Sequence, residues 1–337
     1  MGRKIVSAVL LLGCFVWLAV LSGAIPVTTE AGAIHTPTLP PDDASETAPD
    51  SPSPKPIESP SGPADTLSEP TEPPGETPVP PEDAEDGPEI LTTTISGDSL
   101  LDNATYYDIE TDELLDGDYH LPLPADGYQI LIVHTHATEA YTPTAAEPYD
   151  ADEEYRTTDP EHSVVRAGQA LADALSACGL NVLHDTNLHD YPSYNGSYAR
   201  SGETIEEYLD AYPGIQIVID LHRDALGEGD TIYRTDAGIE GVRAAQLLFV
   251  MGTDVNLDHP AWRENLKLAL TLQEAVRARW PNLMRPVKLC DYRYNQQLTP
   301  GSLLLEVGTS GNTLEEAITS VELFAEVVGP LLASWVE

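Results

Sequence analysis

Three short apolar runs, each breaking into titratable residues at its C-terminal end, limit what this chain can fold into. The first is Tyr128-Gln-Ile-Leu-Ile-Val-His134-Thr-His136-Ala-Thr-Glu139. The second is Ile215-Gln-Ile-Val-Ile-Asp220, continuing into Leu221-His222-Arg223-Asp224. The third is Ser302-Leu-Leu-Leu305, continuing into Glu306-Val-Gly308. Runs of this length, rich in β-branched and aliphatic residues, read as buried strands. Imidazoles and carboxylates are costly to bury unless paired or ligated. An open α/β sheet assembles its site at the carboxyl ends of its strands. The three runs therefore predict one site built from three strand ends.

The segments between them supply helices and further strands. Asp159-Pro160-Glu161 reads as a helix start, followed by an apolar stripe at Val164, Val165, Ala167, Leu171, Ala174 and Leu175, with Gly179 as the stop. Residues 180–183 and 246–251 read as strands, and 201–212, 260–280 and 313–335 as helices. The order strand, helix, strand, helix, strand predicts an α/β fold with a mostly parallel sheet flanked by helices. Residues 95–123 hold short apolar pieces, expected as edge strands or a lead-in arm. The polar loop from 134 to Pro160 is a candidate substrate-facing lid.

Ahead of this domain, composition changes sharply. Arg3 and Lys4 precede an uncharged apolar run from Ile5 to Ala24. Twenty helical residues reach about 30 Å, enough to cross a bilayer core, so residues 1–25 are expected as a transmembrane anchor with the rest of the chain outside. A cleaved signal peptide is the alternative, since Leu21-Ser-Gly-Ala24 ends in small residues. Seventeen of the 29 prolines lie between Pro26 and Pro88, among acids and with Lys55 as the single base. Residues 26–94 are expected as a disordered, self-repelling acidic linker, and 95–337 as the catalytic domain. With 56 acids against 16 bases, a net charge of -40 excludes general affinity for nucleic acid or anionic lipid. Cys14, Cys178 and Cys290 show no CxxC spacing, which argues against a thiolate zinc knuckle or redox dithiol; Cys178 and Cys290 could pair or stay free.

The titratable residues point to a metal hydrolase. His136-x-x-Glu139 puts two ligand types one turn apart just after a strand, and His222 adds a second imidazole. Two His and one carboxylate suit Zn²⁺ with an open fourth position. His134 and His136 alternate in direction on extended backbone, so one of them is expected at the metal and the other in a supporting or packing role. The spacing to Glu139 favours His136. Glu306, ending an apolar strand, is the candidate proton carrier. Asp220, Arg223 and Asp224 are expected to orient ligands or hold substrate. His184 and His189 lie in a loop and read as non-ligands.

The segments Ile130-Leu-Ile-Val-His134-Thr-His136-Ala-Thr-Glu139-Ala-Tyr141, Val218-Ile-Asp220-Leu-His222-Arg223-Asp224-Ala225 and Leu305-Glu306-Val-Gly308…Asn312-Thr-Leu-Glu315-Glu316-Ala317 resemble the stage II sporulation protein P family. The resemblance runs from about Ile95 to the C-terminus. It implies a zinc-dependent N-acetylmuramoyl-L-alanine amidase fold and a membrane-anchored peptidoglycan hydrolase that also cuts peptide cross-links. It implies action at the septal and engulfing membrane during sporulation, with the stage II sporulation proteins D and M as partners. His136, Glu139 and His222 would hold the zinc and Glu306 would act as acid/base. A zinc carboxypeptidase-like peptidase and a non-catalytic wall-binding scaffold are the rival readings.

Overall fold

The computed structural model describes residues 88–97, 99–152, 154–228 and 230–337. The expected anchor, and the expected linker as far as residue 87, lie outside them. Among the described residues no helix is long and apolar enough to cross a membrane.

The strands are β1 (Glu89–Thr93), β2 (Leu101–Asn103), β3 (Ile130–Val133), β4 (Val182–His184), β5 (Ile217–Asp224), β6 (Gly227–Glu228), β7 (Thr231–Thr235), β8 (Leu247–Gly252), β9 (Val287–Cys290) and β10 (Ser302–Thr309). The long helices are α1 (Val164–Ala177), α2 (Ser197–Ala211), α3 (Trp262–Arg279) and α4 (Leu314–Ala333). Seven strands form the main sheet in the order β2-β9-β8-β10-β5-β3-β4, and β1-β7-β6 form a small second sheet. Strand β1 falls within the stretch whose composition predicts linker.

Both sheets are mixed, which corrects the expectation of a mostly parallel one. In the main sheet β8 runs antiparallel to β10, and in the small one β6 runs antiparallel to β7. Strand direction leaves no mark in hydrophobic periodicity. Here it follows from the connection between β9 and β10, residues 291–301, whose regular structure is one 3-10 turn at Gln296–Leu298. A parallel return needs a crossover of about a dozen or more residues, usually a helix. Without one, β10 comes back beside β8 in the opposite sense.

Side chains alternate across the main sheet and sort into two cores. Ile130, Ile132, Ile219, Leu221, Leu303, Leu305 and Phe249 pack with α1, α3 and α4 on one face. Leu131, Val133 and Val218 pack with Ile205 of α2 on the other. Three helices thus cover one face and one helix part of the other. The α2 face keeps room for polar groups near the ends of β3, β5 and β10.

Two helix starts are set by local chemistry. Thr313 and Glu316 form a reciprocal capping box at the head of α4, as the Thr-x-x-Glu spacing suggests. Helix α1 starts later than Asp159-Pro160-Glu161 suggests, with Ser163 as its N-cap. The reason is tertiary: Ala140 and Ser163 form a bridge, and Val164 N–H donates to Glu139 O at 2.8 Å, so Ser163 itself is held extended and the helix begins only after it. Asp159 instead closes a turn onto His162, 2.9 Å away.

Candidate metal centre

Strand β3 ends at Val133, and the following turn, closed by Glu139 N–H on His136 O at 3.1 Å, brings His136 and Glu139 together. Strand β5 runs beside β3 in parallel register, Val133 opposite Asp220. Asp220 and His222 share the parity of Val218 and so face α2. Strand β10 lies on the other side of β5 with Glu306 opposite His222. Both His222 and Glu306 are in-strand residues, so sheet register sets their separation.

His136, Glu139 and His222 are all buried and offer ligand atoms within 4.8 Å of one another. His136 Nδ1 is 3.5 Å from Glu139 Oε1, and His222 Nδ1 is 3.4 Å from Glu139 Oε2. Tetrahedral zinc with bonds of about 2.0–2.2 Å separates neighbouring ligand atoms by roughly 3.4 Å. Each imidazole turns Nδ1 to the common point and keeps Nε2 against a polar neighbour. His136 Nε2 meets Ser197 Oγ at 3.1 Å, and His222 Nε2 lies 3.0 Å from Asp220 Oδ1. Such backing is the usual support of a metal-binding imidazole. Asp220 is itself held, accepting from Thr135 N–H at 2.8 Å and Thr135 Oγ1 at 2.7 Å. Glu139 Oε2 accepts from Arg223 N–H at 3.1 Å. The donor set and its supports therefore fit a divalent ion such as Zn²⁺.

The electrostatics agree with that fit. Burial pushes the Glu139 carboxyl up, but the His136 and His222 imidazoles outweigh it and hold Glu139 well below the usual range. Burial works against charge on His222, yet the Asp220 and Glu139 carboxylates raise it well above an ordinary imidazole. In the metal-free chain a proton on His222 thus sits between two carboxylates, where a cation is favoured. Glu306 differs. Burial first, then the Asp224 carboxylate, push it up to about 8. Its Oε2 is sealed from solvent with no hydrogen-bond partner among the described residues.

The remaining sequence candidates take distinct places. His134 faces away from the cluster, its Nδ1 2.9 Å from Leu221 O and its Nε2 2.9 Å from His184 Nε2. Gly168 of α1 lies against this pair; a Cβ there would come 2.5 Å from the His134 ring. Burial first, then the neighbouring His184, hold His134 down at about 3. His189 pairs with Asp185 at 3.0 Å. Arg223 ties the loop after β3, donating to Ala140 O at 2.8 Å and Tyr155 O at 3.0 Å. Asp224 pairs with Arg285 at 2.7 Å.

Several site residues escape sequence reasoning. Arg156 donates to Asp190 Oδ2 and Thr138 Oγ1, both at 2.9 Å, and its Nη2 stands 3.7 Å from Glu139 Oε1. Tyr194 stacks on His136, centroids 4.6 Å apart, with the Arg156 guanidinium 5.0 Å above its ring. Tyr198 approaches both candidate ligand imidazoles. No spacing or periodicity in the sequence marks them.

The profile of the family described as "Stage II sporulation protein P (SpoIIP)" matches residues 69–329. A Bacillus subtilis (strain 168) protein named "Stage II sporulation protein P" is 29% identical over 209 residues, covering 59% of this chain and 49% of that protein. The chain thus spans about half the length of this relative. Among solved structures, an N-acetylmuramyl-L-alanine amidase from Mycobacterium abscessus aligns at 12% identity and a TM-score of 0.35, covering 62% of this chain and 99% of that one. An N-acetylmuramoyl-L-alanine amidase from Clostridium difficile 630 aligns at 13% identity and a TM-score of 0.34, covering 62% and 95%.

Proposed function

Because the chain belongs to the stage II sporulation protein P family, we propose that it is a zinc-dependent peptidoglycan hydrolase that cleaves the amide between muramic acid and L-alanine. Cleavage of peptide cross-links is a second activity of the same proposal. The observation that carries it is the meeting of His136, Glu139 and His222 within 4.8 Å, with Glu306 in register beside His222.

His136, Glu139 and His222 would hold the ion. Zinc so bound would supply a water of lowered pKa and a Lewis acid for an acyl oxygen. Glu306 takes a proton from the attacking water and passes it to the leaving nitrogen, a task open to a carboxylate in register beside a candidate ligand. Asp220 keeps the His222 ring oriented, and Arg223 N–H steadies the Glu139 carboxylate. Arg223 also holds the loop after β3 through its carbonyls, which keeps Glu139 from turning away.

The same proposal includes a membrane anchor at 1–25, a linker at 26–94 that extends the domain's reach, and an extracytoplasmic catalytic domain at the septal and engulfing membrane. Its partners there are the stage II sporulation proteins D and M. These parts rest on family membership and on composition.

The test is mass spectrometry of digested peptidoglycan, with and without chelator. Free muramic lactyl groups with intact stem peptides are expected, and chelator should abolish them. Glu306→Gln should lower kcat by about 100-fold or more while zinc stays bound. Release of single terminal amino acids would assign a carboxypeptidase instead. Equal digestion by parent and variant would remove Glu306 from the chemistry.

A further inference from the structure

Tyr198 has no task in the proposal above, yet it stands against both candidate ligand imidazoles. Its ring is nearly parallel to that of His222, at 16° with centroids 6.5 Å apart. It is edge-on to His136, at 79° and 5.5 Å. Its backbone is pinned in the first turn of α2. Ser197, one residue earlier, meets His136, and the Tyr198 carbonyl accepts from Asn295 Nδ2 at 2.8 Å. The side chain is half-buried, and its hydroxyl meets no hydrogen-bond partner among the described residues. The Asp220, Glu306 and Glu139 carboxylates, which surround the cluster, all lie within electrostatic reach of that hydroxyl.

Amide hydrolysis moves negative charge onto the acyl oxygen, and a preorganised donor aimed there is worth about 100- to 1000-fold in kcat. The other donors around the cluster are committed. The Arg223 guanidinium holds backbone carbonyls, Arg285 holds Asp224, Arg156 holds Asp190 and Thr138, and Ser197 meets His136. Glu139 and Asp220, whose carboxyls are held low, only accept, and Glu306 is taken up by the proton it carries. A phenol remains a donor throughout the neutral range.

We propose that Tyr198 is a further catalytic residue, whose hydroxyl donates a hydrogen bond to the acyl oxygen of the scissile amide as that oxygen takes on charge. This rests on the hydrolase reading above. The oxygen of water adds to the carbonyl carbon, and Glu306 carries a proton from it to the departing nitrogen as the C–N bond breaks. The phenol keeps its own proton throughout.

The test compares the full chain with its Tyr198→Phe variant, zinc supplied, on a muropeptide with an intact stem. Removing one oxygen should lower kcat by about 10- to 100-fold and leave KM within about threefold. Bound zinc and thermal midpoint should match the parent. An unchanged kcat overturns the inference, as does a loss that tracks missing zinc. If the parent cleaves no muropeptide, the hydrolase reading fails and this inference with it. If parent and variant cleave equally, the inference alone fails.

Discussion

A carboxyl with an oxygen cut off from water and left without a partner prefers its neutral form, and Glu306 Oε2 is in that position. Its folded value stands at about 8 against an ordinary 4.5, burial being the chief cause and Asp224 the next. The folded state therefore keeps a proton that the unfolded state gives up above pH 4.5. Stability linked to this group falls as pH rises from about 4.5 to about 8, then levels off. With chelator present, Glu306→Gln should be the more stable form at pH 8, by about 1 kcal/mol or more, and the gap should close towards pH 4.5. Denaturant titrations at both pH values measure it. A parent more stable at pH 8 than at pH 5, with the variant following it, would mean that Glu306 is not held up by burial.

At the scale of elements, the site depends on how strands and helices meet. Helix α4 packs on the same sheet face as α1, and Phe324 of α4 lies edge-on to Phe249 of β8, centroids 6.0 Å apart. Its start is secured by Thr313 Oγ1, which accepts from Glu316 N–H at 3.2 Å. Glu316 also accepts from Asn312 Nδ2 at 2.9 Å, so the cap joins the network that ends β10. Thr313→Ala should cost about 1 kcal/mol, a fall of about 2–4 °C in Tm for a domain of this size. It should leave zinc affinity unchanged, because the candidate ligands come from the turn after β3 and from β5. Calorimetry with metal analysis checks both. A lost ion would tie the cap to the site, contrary to this topology.

Across the whole molecule, charge is unevenly spread. The chain carries 56 acids and 16 bases, yet Arg156, Arg223 and Arg285 gather around the candidate centre. Such an acidic surface would repel an anionic wall, the proposed substrate, while the site holds cations beside its carboxylates. Repulsion between exposed charges is screened over about 10 Å at 0.1 M salt. Cleavage of insoluble, anionic wall should therefore quicken as salt rises from about 0.01 to 0.15 M, with small neutral muropeptides changing much less. Turbidity loss of purified wall against fragment turnover measures the contrast. Slower wall digestion with added salt would point to attraction instead.

Apolar runs that end in imidazole and carboxylate determined, from the sequence alone, where the strands lie and which end of each carries the titratable residues. Burial of such groups needs partners, and period-two alternation separates His134 from its neighbours on the pleat. Tertiary structure alone decided the antiparallel step at β8 and the late start of α1. It also decided the arrival of Arg156, Tyr194 and Tyr198 at the cluster. Strand direction depends on how a connection spans the sheet, and residues far apart in the chain meet only when packing closes the loops between them. Neither leaves a periodic trace in the residues themselves.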